Sequence, residues 1–274
     1  MNYNELLLRL KAVSPDEFEF EARLLAEQFC DKKISYILTH RDEALESAAL
    51  ASALERREAR EPLQYILGKW DFYRQTYFVD ENCPIPRADT EILVEKAIGL
   101  LPQNARFADL CTGSGCIAIS TLCDRPDTTA VMVDKFEKTL ALARKNAEAN
   151  GVTNRVKPML FDVLCESDAL EGESFDAILS NPPYIRPEVI ETLAPEVKRE
   201  PYAALYGGDD GIIFYRAIVA DYSKFLKKDG FFAFEIGYDQ AADVQAIAAQ
   251  YGFICEIIKD YGGNDRVAIL RKER

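Results

Sequence analysis

The chain has 274 residues, 48% of them hydrophobic and 29% charged, which is enough apolar material for a full core and, by length, for about two domains. No apolar run reaches the roughly 18 residues of a membrane span, and Met1 to Glu5 lacks the basic start and apolar core of an export signal, so a soluble cytoplasmic protein is expected. A net charge of −13, from 33 basic and 46 acidic side chains, opposes the phosphate attraction on which general nucleic-acid binding rests.

Residues 1–62 read as helices. Leu6, Leu7, Leu10 and Val13 share one helical face, and Ser14-Pro15-Asp16-Glu17 has the form of an N-cap, a first-turn proline and a capping-box acid. A second helix is therefore expected from about Pro15, with Phe18, Ala22, Leu25 and Phe29 at helical spacing, and a third, alanine-rich helix from Glu43 to Arg60. Together they predict a small helical bundle. From Gln64 the composition changes: Gln64 to Leu67 and Phe72 to Val79 are rich in β-branched and aromatic residues, with Gly68 to Asp71 between them, and read as a hairpin linker over 63–85.

Residues 86–274 alternate strand and helix. Strands are expected at Arg106 to Cys111, Thr129 to Asp134, Val156 to Phe161, Phe175 to Ser180, Phe231 to Ile236, Phe253 to Ile258 and Arg266 to Leu270, with Asn150-Gly151 stopping the helix before the third. The expected class is α/β: a Rossmann-like, seven-stranded, mainly parallel sheet, with ligands at the carboxyl ends of its strands.

Asp109-Leu110-Cys111-Thr112-Gly113-Ser114-Gly115 sets a small-residue turn between the first of these strands and a helix. Such a turn lets the backbone approach a ligand and offers it free N–H groups. Asp134 ends the next strand, where a carboxylate can accept from both hydroxyls of a ribose. A nucleoside cofactor is implied, but the turn alone fits S-adenosylmethionine, a dinucleotide, or no ligand at all.

The fourth strand runs directly into Asn181-Pro182-Pro183-Tyr184, and this position separates the alternatives. An amide or aromatic amine nitrogen is a poor nucleophile because its lone pair is delocalised. The Asn181 side-chain oxygen and the Pro182 carbonyl can each accept one N–H of a substrate NH2 group, aiming the lone pair at a methyl group and stabilising the charge that develops. The prolines hold these acceptors still, and Tyr184 offers a ring face to a planar group. Transfer by direct displacement then follows from alignment.

With these motifs the chain resembles class I S-adenosylmethionine-dependent methyltransferases that act on NH2 groups, and among them the HemK/PrmC peptide chain release factor glutamine methyltransferases. The segments that carry the resemblance are Arg60 to Gly68, Ile85 to Glu91, Asp109 to Gly115, Asn181 to Tyr184, Gly207 to Gly211 and Asp260 to Val267. The resemblance implies methylation of the glutamine of a Gly-Gly-Gln loop in release factors, with S-adenosylhomocysteine as the second product. It implies that Cys111, Thr112, Gly113, Ser114 and Gly115 wrap the cofactor's methionine end, that Asp134 holds its ribose and that Asp162 and Val163 border its adenine. Asp109 and Asn181 complete this cofactor-binding set. Asn181, Pro182 and Tyr184 are the expected catalytic residues, and with Pro183 they form the substrate pocket. Two positions depart from the family, which usually has glycine in place of Cys111 and proline in place of Ala88. Val163 is also smaller than the aromatic residue of some relatives.

Other chemistries lack residues. The seven cysteines are scattered, include no Cys-x-x-Cys pair and suit reduced thiols. His40, the single histidine, reads as a surface residue in an inter-helix turn, and no metal is expected. A ribosomal-protein glutamine methyltransferase and a nucleic-acid adenine or guanine N-methyltransferase use the same tetrapeptide chemistry and remain as alternatives. A catalytically silent binding protein and a dehydrogenase are further ones, the latter with no account of Asn181 to Tyr184. The expected partner is a release factor, oriented by the exposed side of the helical bundle, and the protein is expected to act as a monomer without nucleic acid or membrane.

Overall fold

The computed structural model describes residues 1–273. Two compact units emerge, one comprising Met1–Lys69 with Ala194–Arg199 and the other Trp70–Leu193 with Glu200 onward.

In the first unit, helices α1 (Tyr3–Val13), α2 (Phe18–Phe29), α3 (Ile34–Thr39), α4 (Ala48–Glu58) and α5 (Leu63–Leu67) enclose Leu6, Leu10, Leu25, Leu50 and Leu54, all fully buried. The Arg57 guanidinium crosses this core and pairs with Glu21 through two bonds of 2.8 and 3.0 Å. Glu196, from the returning segment, accepts from it at 2.9 Å. A buried cation is tolerable only when paired in this way.

Several expected boundaries move. The capping box belongs to α1, where the Asn2 side chain accepts from Glu5 N–H and Glu5 reaches back to Asn2 N–H. Ser14 instead closes α1, its N–H bonding Leu10 O, so α2 starts at Phe18 and not at Pro15. Ser47 caps α4 through Leu50 N–H, which delays that helix from Glu43 to Ala48. Gln64 to Leu67 is helix and not strand. Pro62 O accepts from Tyr65 and Ile66, which places Leu63 and Ile66 on one face in the bundle core, and Gly68 ends the turn at φ 70°. The hairpin is therefore β1 (Lys69–Phe72) and β2 (Gln75–Phe78), and its turn falls inside the stretch expected as a single strand.

The second unit is built on a sheet of seven strands, β3 (Arg106–Leu110), β4 (Thr129–Asp134), β5 (Val156–Leu160), β6 (Phe175–Ser180), β7 (Leu226–Glu235), β8 (Phe253–Lys259) and β9 (Asp265–Lys272). They lie in the order β5-β4-β3-β6-β7-β9-β8, parallel except for β9, which enters antiparallel between β7 and β8. Alternate residues of one strand serve opposite layers. On β7, Phe231 and Ala233 pack with α6 (Thr90–Leu100), α7 (Cys116–Asp124) and α8 (Glu137–Ala149), whereas Phe232 and Phe234 pack toward the opposite helices. Those are α11 (Ile213–Tyr222) and α12 (Ala241–Gln250), which follow the short α9 (Pro187–Ile190) and α10 (Tyr202–Leu205). A sheet covered on both faces explains why central strands such as β4, with Ala130 to Val133, read as continuous apolar runs. Pro158 is accommodated because β5 is an edge strand.

From β3 the chain winds outward to β4 and β5, then returns to place β6 on the other side of β3. The carboxyl ends of β3 and β6 flank this topological switch point, where open α/β sheets bind ligands.

Candidate active site

The two motifs read from the sequence meet at the switch point. Leu110 and Ser180 are register partners at the ends of β3 and β6, and the Ser180 hydroxyl donates to Leu110 O at 2.6 Å. The glycine turn leaves one strand and Asn181 leaves the other. Between them opens a cleft at the carboxyl ends of the two strands. Cys111, Gly113, Asp134, Asp162, Val163, Asn181 and Pro183 line it.

The remaining expected residues do not line the cavity. Asp109 is fully buried beneath the turn, where one carboxylate oxygen accepts from the Thr112 hydroxyl at 2.6 Å and from Ala118 N–H at 3.2 Å. Its other oxygen has no partner. Burial raises its pKa to about 7, against the pull of those two bonds. Thr112 N–H bonds Val133 O, and Ser114 O accepts from the Asn146 amide, so both hold the shape of the turn. Gly115 caps α7 at φ 82°, and a Cβ there would come within 2.8 Å of Ile119 Cδ1. Pro182 is buried outside the lining, and the half-buried Tyr184 donates its hydroxyl to Glu235 at 3.2 Å. Burial, reinforced by that carboxylate, pushes the Tyr184 phenol well above its ordinary pKa.

Asp134 is 8% exposed at the end of β4. Its oxygens accept from Gly113 N–H at 3.1 Å and Phe136 N–H at 3.0 Å, which couples the carboxylate to the glycine turn and leaves a lone pair on each oxygen. Burial raises its pKa, and the backbone donors oppose that. Asp162 pairs with Lys135 at 3.0 Å beside it.

Several lining residues were not foreseen. Asn82 and Pro84 come from the strap after β2, Phe136 and Thr139 from the start of α8, and Pro201, Ala203 and Ala204 from around α10. The strap is pinned by Glu200, which accepts from Ile85 N–H at 3.1 Å and pairs with Arg87. Only Phe136 carried a sequence signal, being a large aromatic two residues after Asp134. The others are small or apolar and reach the cavity through loops whose course local pattern does not encode.

Two of the motif segments act from below. Gly207 packs against the Tyr184 backbone so closely that a Cβ would lie 2.5 Å from Tyr184 Cα. Gln240 then bonds both Tyr184 O and Gly211 O, at 2.9 and 3.0 Å. Arg266 pairs with Asp89 at 3.3 Å and with Asp260 at 3.2 Å, which anchors the start of α6 near the end of β7. His40 ends α3 at the surface, stacked on Tyr36.

The strand order, the glycine turn and Asn181 to Tyr184 across the switch point define a class I methyltransferase, and residues 88–199 match the methyltransferase small domain family. Residues 3–68 match the PrmC N-terminal domain family. A release factor glutamine methyltransferase of Thermodesulfovibrio yellowstonii is 37% identical over 270 residues, covering 94% of this chain and 95% of that protein. Another, from Agrobacterium fabrum, is 40% identical and covers 83% of this chain and 80% of its own length. A third, from Clostridium botulinum, is 36% identical over 96% of this chain and 95% of its own. The chain belongs to the release factor glutamine methyltransferase family.

Proposed function

We propose that this protein transfers a methyl group from S-adenosylmethionine to the side-chain amide nitrogen of the glutamine in the Gly-Gly-Gln motif of peptide chain release factors. The observation that carries the reading is Asn181, which lines the cleft opposite Cys111 and Gly113 of the glycine turn. Membership of the release factor glutamine methyltransferase family supports the choice of substrate.

The cavity's donor set fits the cofactor. Asp134 keeps one free acceptor site on each oxygen for a ribose diol, and Phe136 and Val163 offer apolar surface for a flat base. At Gly113 an added Cβ would come within 3.3 Å of Pro84 Cγ, so the narrow turn keeps backbone and ligand close. When bound, S-adenosylmethionine supplies a methyl carbon made electrophilic by its sulfonium. Asp109, Cys111, Thr112, Ser114 and Gly115 shape the wall on that side, and Asp162 closes the base edge.

Asn181 Oδ1 and the Pro182 carbonyl would each accept a hydrogen bond from the glutamine NH2 group and so orient its lone pair for transfer. These acceptors would also stabilise the positive charge on nitrogen as the N–C bond forms and the C–S bond breaks to leave S-adenosylhomocysteine, after which one N–H proton passes to solvent and leaves the neutral N-methyl amide. Pro182 and Pro183 resist rotation of the loop, and Tyr184, outside the cavity lining, holds its far end through the bond to Glu235. In this reading the enzyme acts as a cytoplasmic monomer on a protein partner, and its net charge of −13 disfavours nucleic acid.

The test is radiolabelled methyl transfer to a purified release factor, beside a variant with the Gly-Gly-Gln glutamine changed and beside duplex DNA. Label on the intact factor alone is expected. Label on the glutamine variant, or on DNA, overturns the substrate assignment.

A further inference from the structure

A carboxamide has two ends of nearly equal size and opposite hydrogen-bonding character, so shape alone allows Asn181 to face the cavity with either. Only the oxygen can accept from a substrate NH2 group. We propose that Thr90 and Glu235 are positioning residues which force the Asn181 oxygen, and not its NH2 group, toward the glutamine. The inference rests on the reading of Asn181 given above and adds two residues to it.

Thr90, at the start of α6, and Glu235, at the end of β7, are 1% and 2% exposed, so water does not compete for their bonds. The Thr90 hydroxyl lies 2.5 Å from Glu235 Oε2. With Glu235 ionised, its carboxylate only accepts, and the hydroxyl donates its single proton there. What Thr90 Oγ1 then offers Asn181 is lone pairs, and Asn181 Nδ2 donates to it across 3.2 Å. A flipped amide would set Oδ1 against those lone pairs and leave the amide without its buried acceptor. The other Glu235 oxygen accepts from the Tyr184 hydroxyl at 3.2 Å, so a single carboxylate holds both flanks of the tetrapeptide.

A neutral Glu235 would have a proton of its own to give Thr90, and the amide could then turn. Burial and the Asp89 carboxylate together raise the Glu235 pKa, while the Thr90 hydroxyl, the nearby Arg266 guanidinium and the Tyr184 hydroxyl oppose them and favour the ionised form. Arg266 is itself fixed by Asp89, the residue before Thr90, so the charge that keeps Glu235 an acceptor is tied to the segment bearing the hydroxyl.

The test is single-turnover methyl transfer to a purified release factor by the full chain, with Thr90→Val, Thr90→Ser, Asn181→Ala and the Thr90→Val/Asn181→Ala double variant. S-adenosylmethionine affinity is measured for each. Thr90→Val is expected to slow transfer about 10- to 100-fold with cofactor affinity unchanged, because an amide of mixed orientation misaligns the nitrogen. Thr90→Ser, which restores the hydroxyl, is expected within about threefold of wild type. In the Asn181→Ala background, Thr90→Val is expected to add less than about twofold, since no amide remains to orient. Should Thr90→Val fail to fold, Thr90→Ala carries the same comparison. Wild-type rates without the hydroxyl, a serine variant as slow as valine, or an undiminished Thr90→Val penalty beside Asn181→Ala would each overturn the positioning role. Near-normal transfer by Asn181→Ala alone would instead sink the reading of Asn181, and this inference with it.

Discussion

Cys111 adopts φ 59°, in the left-handed region that a side chain enters at a cost of about 1–2 kcal/mol. The residue closes β3 and starts the turn, so its backbone must reverse here whatever its side chain. That explains the family's usual glycine at this position. The residue is half-buried and packs against the core on the α11 and α12 side of the sheet, and burial raises its thiol pKa well above the ordinary value, which disfavours the thiolate. Relief of strain and loss of these contacts oppose one another in Cys111→Gly, and stability is expected to change by less than about 1 kcal/mol. Cys111→Val, β-branched in the same conformation, is expected to lose about 2 kcal/mol or more. Denaturant unfolding of the two variants checks this, and equal losses would show that backbone conformation is not what distinguishes them.

The elements around the site act as a mould for Asn181 to Tyr184. β6 delivers the tetrapeptide and Ser180 ties it to β3. The 207–211 loop backs Tyr184, with Gly207 N–H bonding Ile185 O and Ile185 N–H bonding Leu205 O. Gly207 has an ordinary φ, so its requirement is space and not conformation. A methyl group 2.5 Å from Tyr184 Cα and 2.9 Å from Gly211 O cannot be absorbed by a flexible side chain, because both obstacles are backbone. Gly207→Ala is expected to cost about 2 kcal/mol or more of stability and to lower methyl transfer further than that loss of folded enzyme explains. A variant with wild-type unfolding and turnover would mean that the loop does not buttress the site.

At the scale of the whole molecule, a short flexible glutamine loop provides little docking area, and a second contact with the release factor is expected from the helical unit. Its surface carries Phe20, 50% exposed, and Leu38, 37% exposed, which line one shallow groove with Tyr3 and Leu7. Changing Phe20 and Leu38 together to serine is expected to raise KM for an intact release factor about tenfold and to leave KM for a short glycine-rich glutamine peptide unchanged. Equal effects on both substrates would remove the docking role from this surface. Among the described residues no helix is long and apolar enough to cross a membrane.

Much of this was legible in the chain. The alternation of apolar strands and amphipathic helices carried the sheet, because burial on both faces leaves a largely apolar run where a central strand must go. Asn181 to Tyr184 and the glycine turn were legible because their chemistry depends on residue type over a few contiguous positions. The strand-like composition of Gln64 to Leu67 misled, since their helix is set by Pro62 and by the core that Leu63 and Ile66 enter. Thr90 and Glu235 were invisible as a pair: they stand 145 positions apart, and neither type is unusual for a helix start or a strand end. The sequence by itself determined the fold class and the tetrapeptide that leaves β6 beside the cavity. Which end of the Asn181 amide faces it was decided only by tertiary structure, because hydrogen-bond direction depends on what a neighbouring hydroxyl has already donated to, and that neighbour comes from elsewhere in the chain.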